Sequence, residues 1–183
     1  VLRRLREKVA VVDHHATADD VGRLTWRDTS ASAAALMVAE LLERLDGPPD
    51  GPTAEALLTG ILSDTGWLRH SSTDGRTLRR VADLLECGVE PDVVYRRIYQ
   101  NDRPQRVFLL SRALDSLQLH AADRLAVMTL RDEDFRATGA GRDETEDFIN
   151  EAMRIATVEV AAILVEQADG QVRVSLRSRG GVD

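Results

Sequence analysis

A single cysteine, Cys87, stands among 183 residues, so neither a disulfide framework nor a cysteine metal cluster can organise this chain. Within its helical pattern it reads as a small buried hydrophobe. Long apolar runs are also missing. The fullest, "VEVAAILV" at 158–165, falls far short of the ~20 residues a membrane helix needs. No charged-then-apolar signal segment opens the chain, and the two absences together predict a cytoplasmic protein. Basic charge is scarce: 24 Lys and Arg face 31 Asp and Glu, a formal net charge of −7. That excludes a broad basic surface for gripping long nucleic acid. Phosphates, if handled at all, require a local site, where bound cations could offset the repulsion. There is no internal repeat, no low-complexity segment and no recognisable Ser-His-Asp or Cys-His motif; Ser63, beside Asp64, reads as a packing or cap residue.

What is present, 43% hydrophobic and 30% charged residues, is enough for one large or two small domains. The start at Val1 and the end just past Gly180 and Gly181 predict a piece of a longer chain. "VAVV", Val9 to Val12, is β-branched and apolar on both faces, which predicts a buried parallel strand. Ala34, Met37, Val38, Leu41, Leu42 and Leu45 recur at helical spacing and stop at Gly47, Pro48 and Pro49. A second helix is expected from an N-cap at Thr53, with Leu57, Leu58, Ile61 and Leu62 inward and Asp64 at its end. A third runs from about Asp74 through Leu78, Val81, Ala82 and Leu85 to a C-cap at Gly88, and a fourth begins at Pro91. Val107, Leu110, Leu114 and Leu117 predict an amphipathic connecting helix.

Beyond about His120 strands outnumber helices. "RLAVMTL" is a strand, "DETEDFINEAMRI" a helix with Asp143 and Glu146 spaced as a capping box, and "VEVAAILVEQADGQVRVSLRS" two strands turning at Asp169 and Gly170. The expected fold class is α/β: a parallel sheet with flanking helices over 1–101, a connecting helix over 102–118, and a smaller α+β unit with a mixed sheet over 119–183.

Asp13, His14 and His15 follow the first strand, at the carboxyl end where ligands gather in open α/β sheets. Asp64 closes another apolar segment inside "GILSDTG". Imidazole and carboxylate are a donor set that suits a borderline-hard divalent ion such as manganese. Adjacent histidines point apart, so one could hold metal while the other meets substrate. In the last strand Arg173, Ser175, Arg177 and Arg179 share one face, and three arginines there make a local anion site. Arg69 and His70 could reach the crevice; Trp26 and Trp67 read as packing, and His120 as structural.

"VVDHHATADDVG", then "ASAAALMVAELL", then "TGILSDTGWLRHSS" resemble the DHH phosphoesterase superfamily in motif order and spacing. "VEVAAILVEQADGQVRVSLRSRGGVD" resembles the start of its first type of associated domain, as in the NrnA-type branch. The resemblance implies hydrolysis of short oligoribonucleotides, of dinucleotides such as pApA from cyclic-di-AMP, or of pAp, by water activated between two manganese ions, with magnesium or cobalt as substitutes. It implies His14 and Asp64 as metal ligands, Asp13 orienting the His14 imidazole, His15 on the scissile phosphate, and Arg177 and Ser178 on substrate. A homodimer is also implied. The family's aspartate-rich motifs upstream of the DHH strand and its later GGGH motif are not in this sequence, so this stretch alone is expected to bind metal weakly and turn over little. Other readings of the same motifs are a RecJ-like exonuclease, against which size and low basic charge count, a family II pyrophosphatase, against which "SLRSRGG" counts, and a catalytically dead nucleotide-binding domain.

Overall fold

A computed structural model of the chain describes residues 6–17 and 21–180. The readings at Val1 and Gly181 lie outside them. The chain divides into two compact units, one ending at Gln100 and the other beginning at Asn101. Among the described residues no helix is long and apolar enough to cross a membrane.

In the first unit, β1 (Ala10–Asp13) pairs in parallel with β2 (Leu24–Arg27), with Asp13 opposite Arg27. β1 is parallel as expected, but it is not buried on both faces: Ala10 is exposed and Val11 and Val12 are half-buried. Among the described residues β2 is its single partner, and a two-stranded sheet cannot enclose it. Four helices follow, α1 (Ala34–Asp46), α2 (Gly51–Asp64), α3 (Gly75–Glu86) and α4 (Pro91–Tyr99).

The N-cap of α2 is Asp50, whose carboxylate accepts from the Thr53 amide at 3.0 Å. Thr53 therefore sits inside the first turn, not at the cap. Cys87 caps α3, and Gly88 follows it at φ +89°. The cysteine is half-buried, less enclosed than its helical pattern predicts.

Leu57, Leu58, Ile61 and Leu62 of α2 are buried as their spacing predicts, and each contributes roughly 1.5–3 kcal/mol by leaving water. At Gly60 a Cβ would lie 2.7 Å from the Ala35 Cβ, so α2 lies tightly against α1 and the position of its last residue, Asp64, is fixed. Two helices are rotated from their expected phase. α1 buries Leu36, Met37 and Ala39 and leaves Leu41 and Leu45 exposed. α3 buries Thr77 and Leu84 and exposes Leu78 and Leu85. The inward Thr77 hydroxyl is satisfied by Ser32 at 2.8 Å and Asp74 at 2.8 Å, so a polar residue takes a core position that a hydrophobic count skips.

The second unit opens with α5 (Pro104–Asp115) and continues through β3 (Gln118–His120), β4 (Leu125–Leu130), α6 (Asp132–Thr138), a 3₁₀ turn at Arg142–Thr145, α7 (Phe148–Ala152), β5 (Val160–Glu166) and β6 (Val172–Ser178). The sheet order is β3-β4-β5-β6; β4 and β5 run parallel and the outer pairs antiparallel. Strand alternation sends Ala126, Met128, Leu130, Ala161, Ile163 and Val165 into one core with Leu109, Ala113, Phe135 and Phe148.

The buried stripe of α5 is Leu109 and Ala113. Leu110 and Leu117 pack against it, whereas Val107 and Leu114 are exposed. The helix expected across "DETEDFINEAMRI" is broken in two, because Asp147 takes a left-handed φ of +65° between the 3₁₀ turn and α7. The acidic cap there is Glu144, accepting from the Gly141 amide at 2.6 Å, not an Asp143–Glu146 box.

Candidate active site

β1 ends at Asp13 and α2 ends at Asp64, and the fold brings His14 and Asp64 together. His14 Nε2 lies 3.5 Å from Asp64 Oδ2. On the other side of the ring, His14 Nδ1 is 3.3 Å from the Ala31 carbonyl oxygen. A carbonyl can only accept, so this contact places a proton on Nδ1 and turns the Nε2 edge of the ring towards Asp64.

Asp64 is presented by a tight turn. Thr65, fully buried, donates its hydroxyl to the Ile61 carbonyl at 2.7 Å and accepts from the Leu68 amide at 3.1 Å. Gly66, Trp67 and Leu68 take φ of +54°, +60° and +65°, a left-handed stretch that costs roughly 1–2 kcal/mol for each side-chain-bearing residue. The turn brings His70 back, so that its Nδ1 donates to the Asp64 carbonyl at 3.1 Å.

Asp13 does not orient His14. Oδ1 of Asp13 instead accepts from the His15 amide at 3.0 Å and from His15 Nδ1 at 2.9 Å, and the two histidine rings do not point apart as expected but lie 4.4 Å between centroids. The His15 amide first, and its ring second, hold the Asp13 carboxyl below the usual carboxylate range. Oδ2 of Asp13 is buried and accepts no hydrogen bond among the described residues; the Arg27 Nε faces it at 3.4 Å. The His15 ring is largely exposed, and with Nδ1 facing Asp13 its Nε2 lies on the other side of the ring.

These groups fit a divalent cation in kind. One imidazole nitrogen and one carboxylate oxygen face each other, and a buried carboxylate oxygen without a hydrogen bond stands one strand residue away. In number they are incomplete, since no three His, Cys, Asp or Glu converge among the described residues.

The second unit holds a cavity of about 380 Å³ between β6 and the segment before α7, lined by Thr145, Glu146, Ile163, Arg173, Ser175 and Arg177 among others. Arg173 donates to the Thr145 hydroxyl. The Arg177 side chain makes no hydrogen bond or ion pair among the described residues, leaving its guanidinium available. Ser178 lies on the opposite face of β6, as strand alternation requires, and does not line the cavity. Arg179 is spent on the carbonyls of Met153, Ile155 and Ala156 and is no part of an anion site. Trp67 packs edge-on against Tyr95 and Tyr99, at centroid distances of 4.9 and 5.8 Å, a packing role as expected.

The fold that carries these residues has a counterpart among solved structures. The chain matches an exopolyphosphatase-related protein from Bacteroides fragilis with a TM-score of 0.88 and 25% identity, covering 93% of this chain and 51% of that one. No family model matches. In fold and in motif order the chain is similar to the DHH phosphoesterases.

Its curated relatives are more particular. It is 33% identical over 172 residues to the bifunctional oligoribonuclease and PAP phosphatase NrnA of Thermus thermophilus, and 30% identical over 174 residues to the probable NrnA of Streptococcus mutans. The match to the Bacillus subtilis NrnA is 27% over 180 residues. These alignments cover 93%, 93% and 96% of this chain but 51%, 54% and 56% of the relatives, so the chain spans about half the length of the curated proteins it matches.

Proposed function

We propose that His14, His15 and Asp64 belong to the active centre of a metal-dependent phosphoesterase that hydrolyses short oligoribonucleotides, dinucleotides such as pApA, or pAp, the activity residing in the longer protein. The observation that carries this reading is the pairing of His14 Nε2 with Asp64 Oδ2 at 3.5 Å, with the ring fixed from behind by the Ala31 carbonyl. His14 and Asp64 would hold a cation of the manganese class, which when bound supplies an activated water and charge neutralisation at the phosphoryl group.

The remaining roles follow from this chain's own groups. Asp13 holds the His15 ring through Nδ1 and directs Nε2 outward, towards a phosphate oxygen. Arg177, on the cavity of the second unit, offers a guanidinium fork that matches a phosphate or a terminal nucleotide charge. Ser178, on the other face, would reach substrate only through its backbone.

The test uses the longer protein, extended to the length of its relatives, with manganese and with pApA, pAp and pyrophosphate in parallel. Release of AMP from pApA or of phosphate from pAp, lost in His14→Ala and in Asp64→Ala, is the expected result. Hydrolysis of pyrophosphate alone would replace this reading with a pyrophosphatase, and tight nucleotide binding without turnover would replace it with a binding domain.

A further inference from the structure

The carbonyl that fixes His14 belongs to Ala31, in the segment between β2 and α1, and the structure shows what holds that segment. Asp28 is its hub. The Asp28 amide donates to the Asp13 carbonyl at 3.0 Å, tying the segment to the end of β1, and the Ala31 amide donates back to the Asp28 carbonyl at 3.1 Å. One carboxylate oxygen of Asp28 accepts from the Ser30 amide and hydroxyl at 3.0 and 2.6 Å. The other accepts from Arg76 Nη1 at 2.7 Å. The same guanidinium forks onto Glu40 of α1 through Nε and Nη2, both at 2.6 Å. The next residue of α3, Thr77, shares a hydrogen bond with Ser32. Ala31 is thus clamped on both sides by the first turn of α3, and it is itself buried.

We infer that Arg76 is a positioning residue for the His14 imidazole: through Asp28 it fixes the Ala31 carbonyl, and through that carbonyl it sets which ring nitrogen faces Asp64. The inference rests on His14 as a cation ligand for its purpose, but its structural content, the ring tautomer, stands apart from that reading. A guanidinium is needed because three N–H groups in one plane must reach two carboxylates on different elements, which an ammonium on a flexible stem cannot do with the same geometry. Ser30 and Arg76 together hold the Asp28 carboxyl down to about 2, so the hub stays ionised throughout the neutral range.

The experiment is long-range ¹H–¹⁵N correlation of the histidine rings in this chain, with His14 assigned by His14→Gln, followed by titration with manganese and observation of paramagnetic broadening. The expected wild-type state is a His14 ring that carries its proton on Nδ1, hydrogen-bonded to the Ala31 carbonyl. In Arg76→Ala the two tautomers mix, and the manganese concentration needed to broaden His14 rises by about ten- to a hundredfold, the range for losing an outer group that orients a ligand. Arg76→Lys restores only part of this. An unchanged tautomer in a folded Arg76→Ala chain would overturn the inference. Should that variant lose its dispersed spectrum, Asp28→Asn, which keeps an acceptor for Ser30 but removes the charge facing Arg76, decides the matter on the same two readouts. If manganese never broadens His14 in the wild type, the cation reading fails, while the tautomer comparison still tests Arg76.

Discussion

At the scale of the residue, Gly66 shows how much the site depends on one missing side chain. Its φ of +54° is left-handed, and a Cβ there would lie 2.5 Å from His70 Nε2 and 3.0 Å from Arg69 Nε. Gly66→Ala is therefore expected to destabilise the first unit by about 1–2 kcal/mol and to push the His70 ring off the Asp64 carbonyl. Urea unfolding checks the first, and loss of the His70 Nδ1 proton signal checks the second. The histidines and Asp64 were legible because each polar residue interrupts an apolar run at an element's end. Two of the groups behind His14 were not. The Ala31 carbonyl is backbone and leaves no trace in residue identity, and Arg76 looks like any other arginine on a helix until the fold brings Asp28 and Glu40 to it.

At the scale of the element, α5 separates pattern from packing. Val107 and Leu114 fit the helical period yet are exposed, and the core-facing residues are Leu109 and Ala113. Leu109→Ala is expected to cost about 2–5 kcal/mol, whereas Val107→Ala should change stability by no more than about 0.5 kcal/mol. Chemical unfolding of the two variants side by side tests the assignment, and equal losses would contradict it. The existence of α1 to α5 could be read from apolar spacing and from punctuation by Pro and Gly. Their rotation could not be read when a threonine took a core position, as in α3. β2 escaped notice because four residues, "LTWR", all exposed, carry no alternation that outweighs their polar surroundings. The single left-handed residue Asp147 split a helix whose composition gave no warning.

At the scale of the whole molecule, depressed carboxylates are spread over both units. Ser30 first, then Arg76, bring Asp28 to about 2, and Arg103, then the Gly141 amide, bring Glu144 to about 2, against ordinary values of 3.8 and 4.5. A folded value below the unfolded one means stability that is fully present above the unfolded value and is lost as pH falls towards the folded one. The unfolding midpoint should therefore hold steady from about pH 7 to about pH 5 and decline between about 4.5 and 2. Asp28→Asn and Glu144→Gln should each flatten that decline, as thermal melts across the range would show; an unaltered slope in both would assign acid sensitivity to other groups. The outer strand of the second sheet has a consequence of another kind. Val172, Val174 and Leu176 are each more than half exposed on β6, which has no neighbour on its far side among the described residues. Such a border is a template for strand addition, and Arg173 and Arg177, interleaved with the apolar residues, are the charges that repel a second identical border. Colloidal solubility of this half of the chain is thus tied to ionic conditions: high salt or a bound polyanion, by screening those two arginines, removes the barrier to strand-by-strand association.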